Sequence, residues 1–506
     1  MAQRAFLGVD IGTSSSKGVL VSPAGTVLRS ATRAHAVSRP APGHVEMDGD
    51  LWWNEFVELA TELTAPGDVT VAAVGVSGMG PCVLLTDDDD VPLRPAILYG
   101  VDTRAVAQIA NLDAELGREK ILRRCGSVLT SQAVGPKLRW VRDTEPHVWR
   151  RARRWYTPAS WLVRRLTGEY VLDHHSASQS TPLLDRHTQS WYEPWAAVVA
   201  EHLELPLLRW AGEQAGVTRE VVGGIPAAVP VITGTIDAWS EAVSVGAQTP
   251  GDLMLMYGTT MFLIATVTEP VTSEVMWGTT GALPGTFNLA GGMATSGALT
   301  AWVRDLTGAV PYAELLAEAG RSGVGARGLL VLPYFAGERT PVLDPRARGV
   351  IAGLTLTHGR GDLYRGMLEA TAYGVRHNVE ALSQAGVRVE RVVAVGGGTQ
   401  GGLWTQVVSD VTGLEQIVRR TTIGASYGSA FLAAGLVGPA DIDSWNPVER
   451  VVRPDAAAAS TYDELYQHYR ELYPSTRGIV HALAAFQEQS AEASTIRPAS
   501  VEKEHQ

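Results

Sequence analysis

The sequence predicts an α/β protein with two related domains around a central cleft. Its 506 residues exceed the size of one ordinary hydrophobic core, which favours two large domains. Strand-like and helix-like patterns alternate along the chain, as expected for α/β folds. A strand, a small hydroxyl-rich turn and a returning strand occur near the start of each half, which indicates a structural repeat.

The first of these elements spans residues 6–21. An apolar run reaches Asp10, and a turn rich in hydroxyls leads from Gly12 to a second apolar run at Gly18. Backbone N–H groups and small hydroxyls can cradle phosphate oxygens, and a carboxylate can hold magnesium through water. The turn is not a P-loop, because the G-x-x-x-x-G-K-[ST] spacing is absent and no helix follows Lys17. An ordinary hairpin that opens a domain explains these residues equally well.

The rest of the first half continues the alternation of elements. We expect a helix at 49–64, helical segments over 105–166, and strands at 27–32, 70–76, 95–104 and 227–233. The strand at 70–76 ends in a turn at 77–82, and ligands of open α/β sheets usually bind at such strand ends. The acidic run 87–90 is expected to be a solvated hairpin tip.

The second half repeats this order. We expect strands at 252–257, 261–267, 329–333 and 391–395, and helices at 361–385 and 401–412. The turn 258–260 echoes the hydroxyl turn of the first half, and the glycine triplet 396–398 lets the backbone approach a flat ligand. The predicted domains are therefore 1–245 and 246–486, followed by an unstructured polar tail at 487–506.

The composition excludes several classes of protein. The formal net charge of -11 argues against nucleic-acid and anionic-membrane partners. No segment has the roughly 18 uninterrupted apolar residues of a membrane span, and no signal-peptide pattern opens the chain. Two cysteines cannot form a disulfide framework. We therefore expect a cytoplasmic protein.

Asp237 follows a predicted strand and a Gly-Thr turn, and it precedes a helix-like segment. An Asp at this position can simply cap the helix, which local sequence favours. In a phosphoryl transfer to a hydroxyl group, an Asp beside that hydroxyl can also accept its proton. The two roles are compatible.

Taken in order, these segments resemble the FGGY carbohydrate kinases of the sugar kinase/Hsp70/actin superfamily. The resemblance runs from about residue 5 to about residue 485. The matching segments are GVDIGTSSSK at 8–17, LRPAILYGVDTR at 93–104, SWLVRRLTGE at 160–169, LMYGTT at 255–260, LPYFAGERTP at 332–341, VGGG at 395–398 and GASYGSA at 424–430. The resemblance implies two actin-like (ribonuclease H-like) domains that close over ATP, Mg²⁺ and a sugar or polyol.

The family's reaction is transfer of the γ-phosphate of ATP to a hydroxyl group of a sugar or polyol. The resemblance implies that Asp237 is the general base and that Asp10 holds magnesium and orients the phosphates. The remaining implied contacts are Thr13, Ser14 and Lys17 at the first phosphate turn, Gly258, Thr259 and Thr260 at the β- and γ-phosphates, Gly397, Gly398 and Gln400 at the nucleoside, and Met79, Asp102 and Arg104 near the sugar.

Xylulokinases are the most similar subgroup, on the segments 338–341 and 43–46. Bacterial xylulokinases typically carry Gly-Gln-Met-His-Gly where this chain has Gly-Met-Gly-Pro-Cys at 78–82. Their Trp-Asn-Asp triplet appears here as Tyr-Gly-Val-Asp at 99–102. Both departures fall in segments near the implied sugar site.

The expected substrate is a ketopentose such as D-xylulose. Ribulose, a tetritol, a deoxy sugar and a glycerol-like polyol are the alternatives within the enzyme class. A nucleotide-dependent sensor without sugar turnover is the alternative outside it, and the presence of Asp237 favours the enzyme. The resemblance leaves a homodimer open.

Overall fold

The computed structural model describes residues 3–495. Its strands are β1 (Gln3–Ile11), β2 (Ser15–Val21), β3 (Val27–Ala34), β4 (Glu46–Met47), β5 (Val69–Gly78), β6 (Leu84–Thr86), β7 (Ala96–Ile97), β8 (Arg154–Tyr156), β9 (Val171–Asp173), β10 (Leu184–Asp185), β11 (Ser190–Trp191), β12 (Leu207–Arg209), β13 (Gln214–Val217), β14 (Pro230–Ile232), β15 (Thr235–Ile236), β16 (Asp252–Tyr257), β17 (Met261–Val267), β18 (Trp277–Thr280), β19 (Phe287–Met293), β20 (Leu330–Leu332), β21 (Val350–Ala352), β22 (Arg391–Val395), β23 (Gln416–Arg419) and β24 (Val448–Val452).

The helices of the same residues are α1 (Gly49–Thr64), α2 (Val106–Leu112), α3 (Arg118–Cys125), α4 (Val134–Thr144), α5 (Pro146–Arg151), α6 (Pro158–Thr167), α7 (His174–Gln179), α8 (Glu193–Val199), α9 (Asp237–Ser244), α10 (Gly297–Leu306), α11 (Tyr312–Ser322), α12 (Arg360–Gln384), α13 (Leu403–Thr412), α14 (Ala425–Gly435), α15 (Ile442–Trp445) and α16 (Ala459–Thr495). A π-helical turn covers Asp113–Gly117, and 3₁₀ turns cover Ala326–Gly328 and Gly397–Thr399. Within residues 3–495, no helix combines the length and the apolar character needed to cross a bilayer.

Two large sheets share the arrangement of their central strands and differ at their edges. The first has the order β13-β14-β5-β1-β2-β3, and the second has the order β24-β23-β22-β16-β17-β19-β18. In each sheet the first strand, β1 or β16, pairs antiparallel with the next strand, β2 or β17, and parallel with a later strand, β5 or β22. The predicted repeat and the two-domain α/β fold are therefore confirmed. The long, largely buried runs at β1, β5 and β22 fit their central positions, where both faces of the sheet are covered.

Helices α9 and α14 pack between the two sheets. One hydrophobic cluster contains Phe6 and Ala73 from the first sheet, Trp239 from α9, Tyr427 from α14 and Val393 from the second sheet. This layer joins the two halves of the chain and places the start of α9 beside the C-terminal end of β1.

Several predicted elements match the structure, and others differ. The helix at 49–64 and the strands at 252–257, 261–267 and 391–395 have the predicted bounds. Of the strand predicted at 95–104, only β7 is formed. The residues after β7 form turns, and these turns carry the charged side chains of Asp102 and Arg104.

The acidic tip at 87–90 is less solvated than predicted, since Asp90 accepts hydrogen bonds from Arg154, Arg164 and Tyr156. The tail predicted from 487 is helical as far as Thr495, because its Ala, Glu and Gln residues favour continuation of α16. Residues 496–506 of that tail lie outside the described residues.

Candidate active site

Three adjoining cavities form a continuous cleft between the two sheets. The inner chamber, of about 300 Å³, reaches from Tyr99 to Arg339. The middle chamber, of about 350 Å³, lies over Asp10, and the outer chamber, of about 610 Å³, lies over Trp404. Asp237 borders both the inner and middle chambers, and Gly397 borders both the middle and outer chambers.

The middle chamber contains three acidic side chains and one lysine: Asp10, Asp237, Glu241 and Lys17. Burial, and then the charge of Asp237, raises the pKa of Asp10 to about 7. The same two causes raise the pKa of Glu241 to about 7. Burial also raises the pKa of Asp237. The chamber therefore has an excess of negative charge, which favours bound cations.

Asp237 is the first residue of α9 and directly follows β15, which pairs with the end of β5. Its Oδ1 accepts a hydrogen bond of 2.7 Å from the backbone N–H of Ala238. Ile236 is the N-cap of α9 and no side chain caps the helix, so the prediction that Asp237 caps it is wrong. The Asp237 carboxylate faces the cleft instead. Glu241 lies one helical turn after Asp237 and was not identified from the sequence. The four-residue spacing, which places both side chains on one face of the helix, could have indicated it.

The middle chamber suits a magnesium ion held partly by other ligands. Within residues 3–495, no group of three or more His, Cys, Asp or Glu side chains could hold a metal alone. Mg²⁺ usually takes one or two carboxylates and completes its shell with water and phosphate oxygens. Asp10 fits this pattern because its Oδ1 accepts only the Ser77 hydroxyl, at 2.8 Å, and its charge lacks a salt-bridge partner among the described residues.

The two hydroxyl turns approach the cleft from opposite sheets. The β1–β2 turn is closed by a bond from Gly12 N to Ser15 O, of 3.1 Å, and the β16–β17 turn by one from Gly258 N to Thr260 O, of 3.2 Å. The predicted residues of the first turn, Thr13, Ser14 and Lys17, all line the middle chamber. In the second turn, Gly258 and Thr259 line the outer chamber, whereas Thr260 lines the inner one.

The outer chamber has a flat aromatic floor beneath the glycine triplet. Gly397, Gly398 and Gln400, which were predicted to contact the nucleoside, all line this chamber, and that contact stays a prediction. A Cβ at Gly398 would lie 2.7 Å from the Trp404 ring, so only glycine fits there. The Trp404 indole donates a hydrogen bond of 2.8 Å to the Thr371 hydroxyl, which fixes the ring.

Three residues predicted near the sugar are not part of the lining of the inner chamber. Asp102 and Arg104 are ion-paired at 2.8 Å, and Arg104 also pairs with Glu46 at 2.7 Å. Met79 is buried, and its sulfur accepts the Thr13 hydroxyl at 3.7 Å. None of the three lines the chamber, although the backbone N–H of Asp102 donates a hydrogen bond of 3.0 Å to the carbonyl oxygen of Tyr99, which does. Their contact with a substrate stays a prediction.

Arg339 is a chamber residue that sequence reasoning missed, because its pairing with Glu338 was interpreted as an ordinary charged pair. Its Nη2 donates a hydrogen bond of 2.7 Å to Met293 O, and its buried Nε has no partner among the described residues. Burial lowers the pKa of Arg339. A guanidinium group in this position is available to a ligand oxygen in the inner chamber.

The fold and the cleft define a class of protein: two α/β domains with the same arrangement of central strands, each of which presents a hydroxyl turn to a shared cleft. A model of the FGGY family of carbohydrate kinases, N-terminal domain, matches residues 5–244. The model of the C-terminal domain of the same family matches residues 253–436. The chain belongs to the FGGY family of carbohydrate kinases.

Two curated relatives and one solved structure show the extent of the similarity. The chain is 30% identical over 486 residues to the xylulose kinase of Escherichia coli strain K12, covering 92% of this chain and 98% of that protein. It is 31% identical over 468 residues to the glycerol kinase of Nocardia farcinica, covering 87% and 92% respectively. The crystal structure of xylulose kinase from Rhodospirillum rubrum has a TM-score of 0.87 and 30% identity, and it covers 94% of this chain and 100% of that one.

Proposed function

We propose that this protein transfers the γ-phosphate of ATP to a hydroxyl group of a ketopentose such as D-xylulose, with Asp237 as the general base. The observation that carries the proposal is the position of Asp237, which borders both the inner and the middle chamber. A sugar hydroxyl in the inner chamber and a phosphate in the middle chamber would meet at this carboxylate. The polar and aromatic lining of the inner chamber suits a sugar.

The chain's own residues supply positioning and proton transfer. Burial raises the pKa of Asp237, which makes its carboxylate a stronger base toward a hydroxyl proton. Lys17 and the backbone of the two turns would neutralise and orient the phosphates, which is most of what phosphoryl transfer requires. Gly397, Gly398 and Gln400 would hold the nucleoside over Trp404. Closure of the two domains on a bound sugar would limit the access of water to the phosphate.

Magnesium would be held by Asp10 together with the phosphate oxygens. When bound, a divalent cation neutralises the charge that develops on the transferring group. The raised pKa of Asp10 supports this assignment, because a nearby cation would restore its ionised form.

The test is ADP release by the purified protein with ATP and magnesium, measured across ketopentoses, tetritols, hexuloses and glycerol. A high kcat/KM for D-xylulose supports the proposal. Slow ADP release that no sugar accelerates would contradict it and would favour the nucleotide-dependent sensor.

A second candidate is the phosphorylation of glycerol or another polyol. The observation that favours it is the similarity to the glycerol kinase of Nocardia farcinica, at the same level of identity as the xylulose kinase of Escherichia coli. The same panel separates the two candidates, because it includes glycerol and tetritols beside the ketopentoses. The cytoplasmic location and the homodimer remain predictions.

A further inference from the structure

We propose that Gln132 and Gln179 determine which sugar the inner chamber accepts, because the protein locks their side-chain amides in opposite orientations. Gln132 presents its N–H₂ group to the chamber as a donor, and Gln179 presents its carbonyl oxygen as an acceptor. Both residues line the chamber. The inference rests on the proposed function and deepens it by describing the substrate that this wall recognises.

The orientation of Gln132 follows from its bond to Gly100. The backbone N–H of Gly100 donates a hydrogen bond of 2.8 Å to the side-chain oxygen of Gln132. A backbone N–H can only donate, so the bonded atom must be the amide oxygen and not the nitrogen. The Gln132 Nε2 group therefore remains available, and it has no hydrogen-bond partner among the described residues.

The glycine at position 100 makes this arrangement possible. A Cβ at Gly100 would lie 2.8 Å from Cδ of Gln132 and 3.0 Å from its Oε1. The Ser131 hydroxyl also donates to Gly100 O at 2.9 Å, so the two segments are tied together on both sides of the peptide. The amide of Gln132 thus occupies the space that a side chain at position 100 would fill.

The orientation of Gln179 follows from a chain of three groups. His175 Nδ1 lies 2.8 Å from Thr280 O, and a carbonyl oxygen can only accept, so Nδ1 must carry a proton. His175 is fully buried against Trp239, with ring centroids 3.6 Å apart, and burial lowers its pKa to about 3. The ring is therefore neutral, and its Nε2 is an acceptor.

Gln179 must satisfy that acceptor with its amide nitrogen. Its Nε2 lies 2.7 Å from His175 Nε2, so the amide donates to the ring. The Gln179 Oε1 atom is left without a hydrogen-bond partner among the described residues and is free to accept from a ligand. The buried histidine thus fixes the polarity of a chamber residue without reaching the chamber itself.

The two amides select a pattern of oxygens on the substrate. Gln132 can bind an oxygen that accepts, either a ketone or a hydroxyl, whereas Gln179 requires a hydroxyl that donates. Trp239, Phe262 and Trp277 also line the chamber and can pack against the C–H bonds of a sugar. This wall fits an open-chain ketose whose ketone faces Gln132 and one of whose hydroxyls faces Gln179.

The test measures kcat/KM of Gln132→Met and Gln179→Leu with the ketopentose that the wild type prefers and with its singly deoxygenated analogues. Each variant should lower kcat/KM for the parent sugar about 10–100-fold, mainly through KM. With one of the deoxy analogues, kcat/KM of the Gln179→Leu variant should lie within about threefold of the wild-type value. That analogue lacks the hydroxyl that Gln179 binds, so the substitution removes no further contact. The KM for ATP should stay within about twofold for both variants.

Gln189→Leu is the matched control. The side-chain amide Nε2 of Gln189 donates a hydrogen bond of 3.0 Å to the hydroxyl oxygen of Thr280, the same residue that His175 contacts, but Gln189 does not line the chamber. This variant should leave the ranking of parent and deoxy sugars unchanged. If Gln179→Leu lowers kcat/KM equally for the parent and every analogue, its role is structural and the inference is wrong. If the wild type phosphorylates no sugar of the panel, the proposed function fails first and the inference fails with it.

Discussion

The hydroxyl oxygens of Ser240 and Ser429 lie 2.9 Å apart at the crossing of α9 and α14. These helices come from opposite halves of the chain, and Ser240 Oγ also lies 2.7 Å from Ala425 O. Asp237 lies one turn before Ser240, and Ser426 at the start of α14 lines the middle chamber. The crossing therefore joins the two domains directly beneath the cleft.

Gly428→Ala should disrupt this crossing. A Cβ at Gly428 would lie 1.8 Å from Ser240 O, a backbone atom, so the helices would have to separate. We expect a loss of about 2–3 kcal/mol in the free energy of unfolding, measured by urea denaturation. Gly435→Ala is the control, since nothing lies within 4 Å of a Cβ there. That change should be neutral or stabilising by up to about 1 kcal/mol through helix propensity. Equal effects of the two changes would refute the close crossing.

Asp237→Asn should remove sugar phosphorylation while retaining the binding of both substrates. The amide is nearly isosteric but cannot accept the hydroxyl proton, so kcat should fall about 10²–10⁴-fold. Calorimetric titration should give dissociation constants for ATP and sugar within about threefold of the wild type. Turnover at a wild-type rate would show that another group is the base.

Asp10→Asn should flatten the pH dependence of stability in the ligand-free protein. The pKa of Asp10 is about 7 in the folded state and near 3.8 when unfolded, so the folded state binds more protons between these values. Stability therefore falls as the pH rises through this window, and the amide removes the loss. At pH 8 the Tm of the variant should exceed that of the wild type by about 2–4 °C for each kcal/mol by which its free energy of unfolding is larger.

At pH 4 the melts of wild type and Asp10→Asn should nearly coincide, because the carboxyl group is protonated in both the folded and a large part of the unfolded wild type. Glu241→Gln should act in the same direction, since burial and Asp237 also raise the pKa of Glu241 to about 7. A Tm difference that is independent of pH would contradict the assignment.

Tyr99→Phe should lower kcat/KM, because it removes a hydrogen bond between a residue of the inner chamber and a residue of the middle chamber. The hydroxyls of Tyr99 and Thr13 lie 2.8 Å apart, so the chamber wall holds a residue of the first hydroxyl turn. Loss of one such hydrogen bond should cost about 1 kcal/mol, or roughly fivefold in kcat/KM. Thr13→Val should act similarly, and the double variant should lose less than the sum of the two. Strictly additive effects would show that the two residues act separately.

Much of the fold could be predicted because its signals are local. The β-branched and apolar runs of β1, β5 and β22, the spacing of α1, and the glycines after β22 each depend on residues close in sequence. The positions of Asp10 and Asp237 could be predicted for the same reason, since each follows directly on a recognisable strand. The short strand β7 could not, because it is set by pairing with β4 far away in the chain.

The sequence alone determined the two-domain α/β class, the family, and the residues of the two hydroxyl turns, since all of these are encoded in local patterns and their order. The tertiary structure alone decided the rest of the site. It placed Arg339 in the lining of the inner chamber, left Asp102 and Arg104 out of that lining, and set Gln132 against Gly100, a residue 32 positions away. Such contacts arise only when distant segments fold together, because hydrogen-bond geometry and the space left by a missing Cβ have no signature in the linear chain.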